Sequence, residues 1–182
     1  RTSEPMSEEH PSPFPTALIL DTSFLRTIGG TESTSYQTFT QYVREEGIDL
    51  YLTPGVVEEL AEQRGYIRID WVDRADTTAW INLIDTVQLG VRVHDGPRAG
   101  EIMDRVHERL AKFEHTDPDE LRKTDSELPA AAVMLLGSTA HDSVGILIDD
   151  RNAERAISGV IDNTYYEGRI RVHSIWDAIE YI

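Results

Sequence analysis

The chain has no cysteine. That excludes disulfide bridges and thiolate-bound metals, and it fits a cytoplasmic protein. Lysine is almost missing as well: Lys112 and Lys123 are the only two, and the other bases are arginines. No apolar run approaches the roughly 18 residues that a membrane span needs. No charged-then-apolar leader precedes a small-residue cleavage site, so no signal peptide is expected. The six histidines show no paired ligand spacing of the His-Glu-x-x-His kind. Gly29-Gly30 and the segment Gly96–Gly100 lack the Gly-Lys-Ser/Thr ending of a phosphate-binding loop. Ser138-Thr139 with His141 does not make a nucleophile elbow.

Negative charge is what the chain has in excess, with 33 acids against 17 bases and a net charge of -16 over 182 residues. Its hydrophobic content of 40% still suffices for a core, so this is not a disordered acidic tail. The length fits one domain. The composition resembles that of cytosolic proteins from salt-loving archaea, whose carboxylate surfaces hold water in concentrated salt. In dilute buffer such a charge repels nucleic acid. At about 1 M salt the screening length falls to roughly 3 Å, so a nucleic-acid substrate stays compatible with it.

Residues 1–15 carry Pro5, Pro11, Pro13 and Pro15 and are expected as a loose tail, with Met6 a candidate natural start. Ala17-Leu18-Ile19-Leu20 is a short apolar run without alternation, the pattern of a strand buried on both faces. It ends in Asp21, with Thr22 or Ser23 placed to cap a short helix over Phe24–Ile28. Helical spacing of Tyr36, Phe39, Tyr42 and Val43 predicts a helix from Ser35 to Glu46. Asp49–Thr53 reads as a second strand, followed by a helix from Pro54 that carries Glu58 and Glu59. Ala75–Val87 has Trp80, Leu83, Ile84 and Val87 at helical spacing, and Val91–Val93 is expected as an edge strand. Arg98–Phe113 is a second amphipathic helix, and residues 115–124 a polar loop. Asp125 opens a helix that is apolar nearly all round through Leu136, with Pro129 expected in its first turn. Val144–Ile148 is a third buried strand ending in Asp149-Asp150. A helix over Ala153–Ile161, a strand over Arg169–Val172 and a closing helix through Trp176 complete the chain. Alternating strands and helices predict an α/β fold, a parallel sheet of four to five strands with helices on both faces.

In such a sheet Asp21, Glu59, Asp125 and Asp149-Asp150 all fall at one edge, the edge where open α/β sheets place ligands. Carboxylates crowded together do not all ionise without a cation between them. An all-oxygen set favours Mg²⁺ or Mn²⁺, and such an ion can activate water against a phosphodiester. Each acid also has an ordinary use, as a helix cap or a solvent-facing helix residue. Arg26, Arg64, Arg68, Arg74 and Arg151 are candidates for gathering near this edge and contacting phosphate. Tyr165, Tyr166 and Trp71 could stack on bases, with core packing the commoner use of such residues.

Four motifs occur in a telling order: Leu20-Asp21-Thr22-Ser23, Val56-Val57-Glu58-Glu59-Leu60, Thr124-Asp125-x-x-Leu128-x-Ala130-Ala131 and Ile148-Asp149-Asp150. Together they resemble the pattern of PIN-domain nucleases, the superfamily of many prokaryotic toxins and of ribosomal-RNA processing enzymes. The resemblance spans about residues 17–182 and implies a three-layer sandwich in one domain from residue 16, with a helical insertion over about 66–124. By position, Asp21, Glu59, Asp125 and Asp150 match the catalytic acids that bind the metal, with Asp149 beside them and Ser23 and Thr22 in support. Arg26, Arg64 and Arg151 are the nearest candidates for phosphate contact. The resemblance also implies Mg²⁺- or Mn²⁺-dependent cleavage of RNA to a 5′-phosphate and a 3′-hydroxyl. An antitoxin or other protein partner and a homodimer are associations known in the superfamily. Two other readings stay open: a PIN-like scaffold that binds RNA or a partner without cutting, and a structure-specific DNA nuclease with the same metal chemistry.

Overall fold

The computed structural model describes residues 13–62, 70–138 and 141–181. Its centre is a five-stranded sheet of β1 (Ala17–Leu20), β2 (Asp49–Leu52), β3 (Ile81–Leu83), β4 (Val144–Leu147) and β5 (Ile170–His173). Every pairing is parallel, in the order β3-β2-β1-β4-β5. All four residues of β1 and all four of β4 are buried. Helices must therefore cover both faces of the sheet, as the unbroken apolar runs require.

The chain moves outward from β1 through β2 to β3, then returns to lay β4 on the other side of β1. The direction of travel reverses between β1 and β4. In open parallel sheets the strand ends at such a reversal diverge and leave a crevice. Asp21 follows β1 and Asp149-Asp150 follow β4, so the switch point is lined with acids from its two founding strands.

Among the described residues the helices are α1 (Thr22–Ile28), α2 (Thr34–Glu45), α3 (Pro54–Glu62), α4 (Ala99–Phe113), α5 (Thr124–Ser138), α6 (Arg151–Ile161) and α7 (Ile175–Tyr181). α5 packs against α3, α4, α6, β1, β4 and β5, which accounts for its apolar girth. The helix begins four residues before Leu128, so Pro129 lies inside it rather than in its first turn.

Two expectations within residues 75–93 give way to the structure. Ala75–Val87 is not a helix: Asp73–Asp76 forms a 3₁₀ turn and Ile81–Leu83 is the edge strand β3. The hydroxyls of Thr77 and Thr78 both donate to the Arg74 carbonyl, at 3.1 and 2.8 Å, and turn the chain out of a helical path. The backbone then joins β2, with Leu50 N–H donating to the Trp80 carbonyl and Ile84 N–H to the Leu52 carbonyl. Val91–Val93 is not a strand. The Val93 N–H donates to the Tyr166 hydroxyl, and the Val91 carbonyl accepts from Ala99 at the start of α4. The segment expected as a helical insertion thus supplies both an edge strand and α4, which packs on α5 and α6.

Phe14, assigned to the loose tail, is buried with its ring edge-on to Tyr42 and to His173. The core therefore starts before β1. Phe14→Ala should lower stability by about 3 kcal/mol or more, the usual cost of emptying a buried phenylalanine site. Denaturant unfolding checks this, and a loss under about 1 kcal/mol would return Phe14 to the tail.

Candidate active site

Asp21 is buried and ends β1 as the N-cap of α1. Its Oδ2 accepts from the Ser23 backbone N–H at 3.2 Å and from the Ser23 hydroxyl at 2.5 Å. The same hydroxyl accepts the Asp149 N–H at 2.9 Å, and Asp21 N–H donates to the Leu147 carbonyl at 3.0 Å. Ser23 thus ties the end of β1 to the end of β4. The Thr27 hydroxyl adds a bond to Asp149 Oδ2 at 3.0 Å. Thr22, also expected in support, is buried with its hydroxyl unpartnered. Asp150 caps α6 through Ala153 N–H at 3.0 Å, and Asp149 is exposed beside it.

Glu59 and Asp125 come from the other side of the crevice. Glu127, in the first turn of α5, accepts the Gly55 N–H of α3 at 2.9 Å. That bond sets the two helix starts side by side, with Glu59 one turn along α3 and Asp125 two residues before Glu127. A cavity of about 280 Å³ opens there, lined among others by Gly55, Glu59, Arg122, Lys123 and Thr124.

Electrostatics show which acids share the crevice. Burial pushes the Asp125 carboxyl up to about 8, and the charges of Asp21, Asp150, Glu59 and Glu114 push in the same direction. Burial also raises Asp21, against the hydrogen bonds from Ser23 and Thr22 that favour its charged form, while Glu59 raises it further. Asp21, Glu59 and Asp150 therefore lie within electrostatic reach of Asp125, and Glu59 within reach of Asp21. Among the described residues no three acidic or histidine side chains stand close enough to cage a metal ion as placed. Closing a coordination shell needs side-chain rotation, for which the half-buried Glu59 and Asp125 are the candidates. The donor set, carboxylate oxygens whose repulsion a dication would relieve, fits Mg²⁺ or Mn²⁺.

The arginines divide. Arg26 is exposed on the last turn of α1, and Arg151 is exposed on the first turn of α6, where it acts on Glu154. Arg74 donates to the Tyr36 hydroxyl at 3.2 Å, a structural contact between the 3₁₀ turn and α2. Arg64 and Arg68 lie outside the described residues. Sequence reasoning passed over Arg122 and Lys123, which line the cavity. Arg122 grips Glu62 with both terminal nitrogens, at 2.9 and 3.2 Å, and feels Glu59 and Glu58. Their adjacency to Asp125 was the available signal. Trp71 and Tyr166 are core residues: Trp71 donates to the Gly29 carbonyl, and the Tyr166 hydroxyl donates to the Pro97 carbonyl.

The raised Asp125 carboxyl has a thermodynamic signature. Folded, it keeps its proton up to about pH 8, whereas an ordinary carboxyl gives it up near 3.8. Between those values the folded state binds more protons than the unfolded state, so this group's contribution to stability falls as pH rises. Melting of the wild type and of Asp125→Asn without divalent cation should show the variant's advantage growing across that window. A difference independent of pH would contradict the raised value.

Residues 14–182 match the family described as the halobacterial PIN domain. No curated protein matches the chain. PIN domains are in general nucleases. The all-parallel sheet flanked by helices and the acidic, lysine-poor composition agree with that match, which spans nearly the whole sequence: the chain belongs to the halobacterial PIN domain family.

Proposed function

We propose that the chain is a divalent-metal-dependent endoribonuclease, with Asp21, Glu59, Asp125 and Asp150 as its Mg²⁺ or Mn²⁺ ligands and Asp149 adjacent. The observation that carries this reading is the meeting of acids at the switch point of the sheet, where Ser23 ties Asp21 at the end of β1 to Asp149 at the end of β4 and Asp125 feels the charges of Asp21, Glu59 and Asp150. The four acids come from four separate segments of the chain, with Arg122 and Lys123 lining the adjoining cavity.

A cation held there would supply Lewis acidity toward a phosphoryl oxygen and lower the pKa of water. Asp21 is held in one orientation by two bonds from Ser23, so it needs little reorganisation to act as a ligand. Asp125 releases its proton on passing from the empty to the loaded site, so cation binding depends on pH. Asp150 stays anchored as the α6 cap while its second carboxylate oxygen remains available. Hydrolysis in this reading breaks the bond to the 3′ oxygen and leaves a 5′-phosphate. A homodimer and an antitoxin-like partner are further proposals that rest on the superfamily alone.

Cleavage of single-stranded RNA with Mn²⁺ in concentrated salt should fall by about a hundredfold or more in Asp21→Asn and Asp150→Asn, as when a group stabilising transition-state charge is lost. Unchanged cleavage refutes the assignment. Ser23→Ala should weaken Mn²⁺ binding by roughly 10–100-fold, the usual effect of removing a group that orients a ligand. Calorimetric titration reads it, and equal affinity would make Ser23 a purely structural residue.

A further inference from the structure

A second charged feature lies away from the acids. α4 and α6 run antiparallel: Phe113 of α4 meets Arg155 of α6, and one turn back on α4 Arg109 meets Gly159, one turn on along α6. Between them is a groove of about 510 Å³ lined by Arg105, Glu108, Arg109, Lys112, Phe113 and Gly159, so three bases share it with one acid. The Arg155 guanidinium sits 4.7 Å from the Phe113 ring centroid, and Arg109 sits 5.8 Å from it. Gly159 leaves the space that Arg109 occupies, since a Cβ there would come within 2.7 Å of the guanidinium carbon.

Four bases gather here on a chain whose acids outnumber its bases 33 to 17. Arg105 bonds Glu101 at 3.6 Å along its own helix. Among the described residues, Arg109, Lys112 and Arg155 form no ion pair with a carboxylate. The two arginines are held in place by an aromatic ring instead, a contact that orients a guanidinium without neutralising it. Lys112 is one of two lysines in the molecule.

The groove also points somewhere. α4 ends next to the crevice, where Glu114 acts on Asp125. α6 begins there at Asp150, and Arg151 and Arg155 succeed each other along one helical face toward Gly159. From Arg151 to Gly159 is roughly 12 Å at 1.5 Å per residue.

We propose that this groove holds the sugar-phosphate backbone of a nucleic-acid strand as it leaves the acidic crevice, with Arg109, Lys112 and Arg155 contacting successive phosphates. The proposal deepens the nuclease reading and rests on it for the direction of the strand. It supplies an extended positive surface for a polyanion on a protein of net charge -16. Long-range attraction plays no part in concentrated salt. Bidentate guanidinium–phosphate bonds act at close range, where screening is weakest.

The test is fluorescence anisotropy of a labelled single-stranded oligoribonucleotide, without divalent metal, over a potassium chloride series. The triple variant Arg109→Gln/Lys112→Gln/Arg155→Gln should bind about tenfold or more weakly. Its slope of log affinity on log salt should be shallower by about 2, at ~0.7 for each phosphate that the variant no longer neutralises. Melting curves check that it folds. Lys112→Glu alone, an exposed site, should weaken binding in the same direction and cannot fail through loss of packing. Equal affinity and slope in wild type and variants overturn the proposal. So does a groove that takes polyglutamate but not the oligonucleotide, which would mark it as a site for an acidic protein. Wild type that binds through the groove but cleaves nothing with Mn²⁺ refutes the nuclease reading and leaves the groove standing. Wild type that cleaves while groove variants bind normally refutes the groove alone.

Discussion

Repulsion among carboxylates brought to one crevice is the constraint around which this molecule is arranged. Two unit charges about 4 Å apart at an effective dielectric of 20 repel by roughly 4 kcal/mol, comparable with a large share of a domain's net stability. The fold spreads its response over several groups. Asp21 receives hydrogen bonds from the residue two positions on. Asp150 is used as a helix cap. Burial and its acidic neighbours raise the Asp125 carboxyl and so favour its neutral form. Each is a local accommodation of a charge that a packed core has no reason to collect, and together they are why the crevice reads as functional.

Topology makes the collection possible. Strand order β3-β2-β1-β4-β5 brings the ends of β1 and β4 together, although more than a hundred residues separate them. Ser23 then fastens one end to the other with a single hydroxyl. α3 and α5 complete the ring through Glu127 and Gly55.

Much of this was legible in the residues. β1 and β4 announce themselves because strands buried on both faces are apolar without interruption, and α2 and α4 because one-sided burial imposes helical spacing. The acids were legible for the same reason: a charge directly after a buried strand is costly unless it has a purpose. What the sequence hid were features decided by partners distant in the chain. β3 is three residues long and lies at the sheet edge with Leu83 partly exposed, so its apolar residues mimic a helical stripe. Val91–Val93 has strand-like residues whose backbone bonds go to a tyrosine hydroxyl and a helix start. The groove between α4 and α6 was invisible because Arg109, Lys112 and Arg155 look like ordinary solvated residues until the two helices are laid side by side.

Pro129 has a mechanical consequence. It has no N–H, so the Asp125 carbonyl receives no bond from the next turn of α5. The opening turn of that helix is correspondingly weakly tied to its own body, while the Glu127 side chain ties it to Gly55 of α3. Asp125 and Glu59 thus stand on two helices bonded to each other, whereas Asp21 and Asp150 are joined through the ends of β1 and β4.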